Sequence, residues 1–218
     1  MIIWIILFLL VVALSFVLAA KSMRDFEEIP EEIEKYNSYL VRLPQQVNKK
    51  LLDSIYEDSL SSGLAFSFER LIKGEKGALV FYAPAILAPK YQEVLGLVEI
   101  EEYTNCDMNL VSSWEALGKG KNYFKKFPKL DELEQFWWQL ILLGRKENMF
   151  QVQIRAVLIS QDPLRRRKLT EVLEERDQLN KLPKASNTQT VGAYQKRSFT
   201  KDTSSLLASK DILHLLTI

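Results

Sequence analysis

Leu64-Ala65-Phe66-Ser67-Phe68-Glu69-Arg70-Leu71-Ile72, Lys73-Gly74-Glu75-Lys76-Gly77 and Ala78-Leu79-Val80-Phe81-Tyr82-Ala83 follow one another directly, and their reading decides the fold. The first run alternates, with Leu64, Phe66 and Phe68 on one side, as a strand with one buried face does. The second is a Gly-bearing loop of hairpin length. The third is apolar throughout, which predicts a central strand covered on both faces, and Pro84 ends it. On the N-terminal side, Val47, Leu51, Leu52, Ile55 and Leu60 mark an amphipathic helix over 46–61, closed by Gly63. Before it, Tyr39-Leu40-Val41-Arg42-Leu43 reads as a short strand stopped by Pro44. On the C-terminal side, a helix over 88–95 and Gly96 lead into a half-exposed strand, Leu97 to Tyr103. Strand, helix, strand, strand, helix, strand over residues 38–104 is the order of a ferredoxin-like (split βαβ) α+β domain. That fold is four antiparallel strands with two helices on one face.

Residues 105–181 are expected to form a helix-strand-helix extension packed on that domain. Residues 104–128 are irregular, with Trp114, Tyr123 and Phe124 pinning them to the body. Asp131 to Gly144 reads as a helix because Leu133, Trp137, Leu140 and Ile141 share a side. Arg145 to Asn148 is a turn, and Phe150 to Ile159 a long strand with one wet face. A helix over 163–180 has Asp162 as its N-cap and Pro163 in its first position. Residues 182–218 form an exposed linker followed by Ile212-Leu213-His214-Leu215-Leu216, a short apolar helix that needs a partner surface.

Met1 to Ala20 holds no charge, Pro or Gly. At about 1.5 Å per residue such a helix spans roughly 30 Å, the thickness of a bilayer's hydrocarbon core, so residues 1–20 are expected to be transmembrane. A cleaved signal peptide would begin with a basic segment and carry a shorter apolar core. Lys21 and Arg24 follow the span, and the positive-inside rule then places the rest in the cytoplasm. The lone Cys106 agrees with a reducing compartment. Residues 21–37 form an acidic stalk, with six acids and no base between positions 25 and 34. The expectation is a single-pass protein of the inner (plasma) membrane.

With 29 basic and 28 acidic residues, the chain carries no global field that would draw nucleic acid. Gly118-Lys119-Gly120-Lys121 has the wrong spacing for a phosphate-cradling loop. One Cys and one His, Cys106 and His214, cannot supply a standard zinc site, and Cys106 has no visible base. Glu99, Glu101 and Glu102 belong to the exposed side and end of a strand, the ordinary place for solvated carboxylates. No catalytic residue, metal or cofactor is therefore assigned. The sharpest cluster is Arg165-Arg166-Arg167-Lys168, a candidate contact for phosphates of nucleic acid or lipid headgroups. Four bases at a helix start oppose the macrodipole and call for a compensating anion.

Several segments resemble, in order and hydrophobicity, the N-terminal membrane-anchored region of bacterial type IV secretion and conjugative DNA-transfer ATPases. They are the initial span, Phe66-Ser67-Phe68-Glu69-Arg70 through Val80-Phe81-Tyr82-Ala83-Pro84, and Val98-Glu99-Ile100-Glu101-Glu102-Tyr103-Thr104. Helix 131–144 leading into Gln151-Val152-Gln153-Ile154-Arg155 is the fourth. Arg197-Ser198-Phe199-Thr200 and Lys210 to Leu216 resemble the segment before the motor of such proteins. The resemblance implies an anchored α+β domain. The family's activity lies in a P-loop motor, whose residues are not among these 218, so no catalytic residue carries over. The expected function is a non-catalytic, single-pass membrane-anchored assembly module of a type IV secretion or conjugation-like translocation machine. Its expected partners are the membrane, a separately encoded P-loop ATPase, and nucleic acid at residues 165–168. The alternative is an outward-facing membrane-tethered module that binds a peptide or glycan.

Overall fold

Gly74, at φ +55°, turns the chain between β2 (Phe66–Lys73) and β3 (Lys76–Pro84), so the central hairpin closes on two residues, Gly74 and Glu75. The computed structural model describes residues 35–116, 127–177, 186–199 and 204–216. Around the hairpin lie β1 (Tyr36–Val41), α1 (Lys49–Ser62), α2 (Pro89–Leu95) and β4 (Leu97–Ile100). The Asn48 side chain caps α1 by accepting from the Leu51 N–H, and Gly63 ends it in the left-handed conformation. The four strands lie in the order β4-β1-β3-β2, each neighbouring pair antiparallel.

This sheet does not stop at four strands. β2 pairs along its full length with β6 (Gln135–Arg145), β6 pairs with β7 (Met149–Ile159), and β5 (Val111–Ala116) lies outside β7. β8 (Ser205–Ala208) pairs with the other half of β7, completing an eight-stranded antiparallel sheet. The expected fold class is therefore corrected. The extension is not helix-strand-helix, because residues 135–145 are a strand. β6 is buried on both faces, so its apolar residues do not alternate, and the helical spacing of Trp137, Leu140 and Ile141 is incidental. The "wet face" of β7 is corrected too, since Gln153 and Arg155 are fully buried.

The expected single-pass architecture and inner-membrane localisation are likewise corrected. Among the described residues no helix is long and apolar enough to cross a membrane. α1 and α3 (Pro163–Asp177) run 14 and 15 residues, and both carry charged side chains. Residues 1–20, where the span was expected, and the acid-rich stretch 25–34 lie outside the described residues.

One face of the sheet carries the main core. Phe66, Phe68 and Phe81 pack with Trp138, Leu140 and Phe150, covered by Leu52 and Ile55 of α1 and Tyr91 of α2. α5 (Ser209–Leu216) seats Ile212, Leu215 and Leu216 in the same core, so the apolar C-terminal helix finds its partner surface within its own chain. α1 crosses β6 closely at Gly144. A Cβ there would stand 2.8 Å from the Leu60 nitrogen and 2.9 Å from the Tyr56 carbonyl oxygen.

The opposite face is covered differently. α4 (Asn187–Lys196) occupies the stretch expected as an exposed linker. Ser186 and Gln189 form a reciprocal capping box at its start, and Val191 and Tyr194 pack on Trp137, Val157 and Ile159. This second face positions the candidate site.

Candidate functional site

Side chains alternate across a strand, so directly opposed residues on neighbouring strands share a face. The register opposes Glu69 to Gln139, Gln139 to Arg155, and Arg155 to Glu115 across β2, β6, β7 and β5. These four form a continuous polar band under α4. The Gln139 amide donates to Glu69 Oε1 at 3.0 Å, and Arg155 Nη1 donates to Gln139 Oε1 at 3.2 Å. Arg155 Nε donates to Glu115 Oε1 at 2.8 Å.

The band receives the end of α4. Carbonyls in a helix's last turn have no partner inside the helix. Here the Tyr194 and Ala193 carbonyls accept the backbone N–H groups of Arg197 and Ser198, and in addition Gln139 Nε2 donates to the Tyr194 carbonyl at 3.0 Å and Arg155 Nη1 to the Ala193 carbonyl at 3.2 Å. At the helix start, Asn187 accepts from the Ser113 N–H and donates to the Val111 carbonyl. The sheet thus holds α4 at both ends through polar groups.

Arg197 completes the arrangement. It follows α4 with φ +49°, a left-handed conformation uncommon for a residue with a Cβ. Its Nε donates to Glu69 Oε1 at 2.9 Å, its Nη1 to Glu102 Oε2 at 2.7 Å, and its Nη2 to Ser38 Oγ at 3.3 Å. Its guanidinium carbon lies 4.2 Å from the centre of the Tyr82 ring, which stacks on Tyr36 at 5.0 Å. The side chains of Arg197 and Glu69 are 3% and 0% exposed, whereas Glu102 is 55% exposed. Burial pushes the Glu69 carboxyl above the usual carboxylate range, against the opposing pull of Arg197, Gln139 and Ser67. Burial also disfavours a charged Glu102, but bonds from Arg197 and Thr104 hold it below that range. For Arg197, burial opposes the charge, and the two carboxylates more than reverse the effect.

Two adjoining clefts open beside this latch. One, of about 210 Å³, is lined by Phe66, Ser67, Ile141 and Phe199, and the other, of about 310 Å³, by Asn37, Glu99, Glu102 and Gln195. Tyr36, Tyr82, Lys196 and Arg197 wall both.

The basic run expected as an anion contact lies elsewhere, at the start of α3. Arg165 Nε donates to Glu134 Oε1 at 3.1 Å and its Nη2 to the Lys129 carbonyl at 2.9 Å. Arg166 donates to the Ser160 carbonyl, and Arg167 pairs with Glu171 one turn along the helix. Lys168 lines an open cleft with Lys129 and Asp131. Glu134 is thus an anion supplied by the chain itself against the unfavourable dipole. Burial pushes its carboxyl up, but Arg165, the Asp131 N–H and the Ser160 hydroxyl bring it below the ordinary value.

Burial and neighbouring Asp107 raise the half-buried Cys106 thiol, which disfavours the thiolate. His214 is exposed in the last turn of α5, and Gly118 to Lys121 lie outside the described residues. Glu69, Gln139, Arg155 and Arg197 carried no signal of their own in the sequence. Each is one polar residue in a locally ordinary segment, and only the strand register brings them together. The alternation of Glu69 and of Arg155 along their strands was the available hint. No family model matches this chain, and no curated protein sequence is significantly similar to it.

Proposed function

We propose that this protein is a non-catalytic assembly module, a rigid α+β surface that docks partner proteins within a translocation machine of the type IV secretion or conjugative kind. The observation that carries the reading is the role of the buried charges. Arg197, Glu69 and Arg155 are the titratable groups a reaction centre would recruit, and their bonds go to each other, to neighbouring side chains and to the backbone of α4. Such a network fixes the position of a helix. Of the segments behind the resemblance to secretion ATPases, Phe66 to Pro84 and Val98 to Ile100 lie in the sheet, while 131–144 is not the helix expected. A partner P-loop ATPase would supply the energy that such an assembly needs.

The reading is tested by placing a photo-crosslinking amino acid at Ile86, 76% exposed in the turn between β3 and α2, or at Leu164 at the start of α3. Irradiation of the native host is expected to join the full chain to a P-loop ATPase identified by mass spectrometry. Crosslinks confined to metabolic enzymes, or turnover of a small molecule by the purified chain, would overturn it.

A further inference from the structure

We infer that the outer edge of β4 receives an extended strand from a partner protein, paired antiparallel, with a Lys or Arg side chain across from Glu99. The inference deepens the assembly reading and rests on it only in taking the occupant to be a protein. The hydrogen-bonding phase of the sheet decides which groups that edge offers. In an antiparallel pair, residues alternate between exchanging both main-chain bonds with the residue opposite and exchanging none. The Ala85 N–H donates to the Lys35 carbonyl at 2.7 Å, a contact that continues the β1–β3 register. Odd-numbered residues of β1 therefore turn their main-chain groups to β3, and Ser38 and Leu40 turn theirs to Ile100 and Val98 of β4. Beyond the bend at Arg42 the phase changes, and the Leu43 N–H reaches the Leu95 carbonyl. Within β4, the N–H and C=O of Leu97 and Glu99 are left pointing away from the sheet. Among the described residues nothing bonds to them.

At the far edge of the sheet, β5 is treated differently. The Asn187 amide stands where the next strand's peptide group would lie, accepting from the Ser113 N–H at 3.1 Å and donating to the Val111 carbonyl at 3.0 Å. β4 carries no such cap, and its side chains decide what can join it. Leu97 is buried in the main core, and Glu99, next on that face, is exposed, as is Glu101 just past the strand. Glu102 is bonded to Arg197 and takes no part. A second copy of this chain is a poor occupant. Any two-fold pairing that uses the free groups of both Leu97 and Glu99 sets Glu99 directly or diagonally across from its own counterpart, where like charges are destabilising. A basic residue across from Glu99 instead adds a charge-assisted contact to the two main-chain bonds that the pair exchanges. Strand addition of this kind draws affinity from the main chain and selectivity from alternate side chains.

The test uses the purified full chain and fluorescein-labelled acetyl-Val-Lys-Val-Lys-Val-amide, read by fluorescence anisotropy, with the same peptide carrying Glu for Lys as comparison. Two further forms are N-methylated, one on both lysines and one on the central valine. Saturable binding of the Lys peptide is expected, weakened about tenfold by Glu99→Lys, with the Glu peptide binding poorly. Methylating the lysines, whose N–H groups face β4 in this pairing, should abolish binding, whereas methylating the central valine, whose N–H faces away, should leave it. Glu99→Pro removes an outward N–H and leaves the bonds to β1, so it should abolish binding with little change in melting temperature. The methylated peptides probe the unmodified chain, so the test stands even if a variant misfolds. No binding of the Lys peptide, equal effects of the two methylations, binding indifferent to Glu99→Lys, or a dimer of the free chain in analytical ultracentrifugation that Glu99→Pro dissolves would each overturn the inference. Crosslinking through Ile86 or Leu164 does not involve β4, so the two proposals fail separately.

Discussion

Arg197→Ala removes the guanidinium that bonds both Glu69 oxygens, at 2.9 and 3.4 Å, and leaves a fully buried carboxylate facing only the weaker donors Ser67 and Gln139 among its described partners. Removing one member of a buried pair typically costs about 3–5 kcal/mol, because the remaining charge keeps its desolvation penalty. The half-exposed Glu102 regains water, so its share of the loss is small, at most about 1 kcal/mol. A net destabilisation of about 3–4 kcal/mol is therefore expected in urea unfolding followed by tryptophan fluorescence, with an unchanged slope if cooperativity survives. The pH dependence gives an independent sign. Glu69 already has a raised folded-state pKa, and losing Arg197 raises it further. The native state then holds a proton the unfolded state releases, so the variant loses stability as pH rises from about 4.3 through the folded value and regains it on acidification. Glu69→Gln in the same chain should restore most of the loss at neutral pH and remove this slope. A cost below about 1 kcal/mol with no change in pH dependence would refute the view that the pair anchors α4.

Gly144→Ala would drive a methyl group into the α1 backbone at Leu60 and Tyr56, and overpacking of this kind costs about 1–3 kcal/mol, measurable by thermal unfolding. Glu134→Gln tests the compensation of the α3 dipole. Because the Glu134 pKa is lowered in the fold, its contribution is present above about pH 4.3 and lost as pH falls through the folded value, so the variant should show a flatter acid limb in its melting temperature. Cys106 should alkylate more slowly than a free thiol at pH 8, and unfolding in urea should restore the free-thiol rate.

How far the sequence led depended on whether a segment's surroundings were uniform. α1 was legible because one face meets a core and the other meets water, and Gly63 marks its end. The β2–β3 hairpin was legible through Gly74 and the alternation before it. β6 was not, because a strand buried on both sides loses the period-two signal, and its neighbour β7 was assigned a wet face that α4 covers. α4 itself misled for the complementary reason. Its buried side is only Thr190, Val191 and Tyr194, too few apolar residues to mark a stripe, although Ser186 and Gln189 spell a capping box. β5 was taken as irregular because Ser112, Ser113 and Glu115 dilute its short edge-strand pattern. The latch residues were invisible for want of register, since Glu69 and Arg197 are 128 positions apart.

The polar contacts at the two ends of α4 have a consequence that its apolar packing on Trp137, Val157 and Ile159 lacks. Apolar contacts tolerate sliding and rotation of a short helix, whereas hydrogen bonds at both ends of α4 specify where it begins and ends. Asn187 fixes the start against Val111 and Ser113, and Gln139 with Arg155 fixes the last carbonyls. Replacing these groups by well-packed apolar residues could leave stability unchanged or raise it, since buried ion pairs often fail to offset their desolvation. What would be lost is the placement of Lys196, in the last turn, and of Arg197, which directly follows it; both wall the two clefts. A register error of one residue would carry Arg197 away from Tyr82 and Glu102 and open the shared wall. The buried network thus sets the geometry of the cleft walls at the rim of the sheet, with the energetic cost borne inside it.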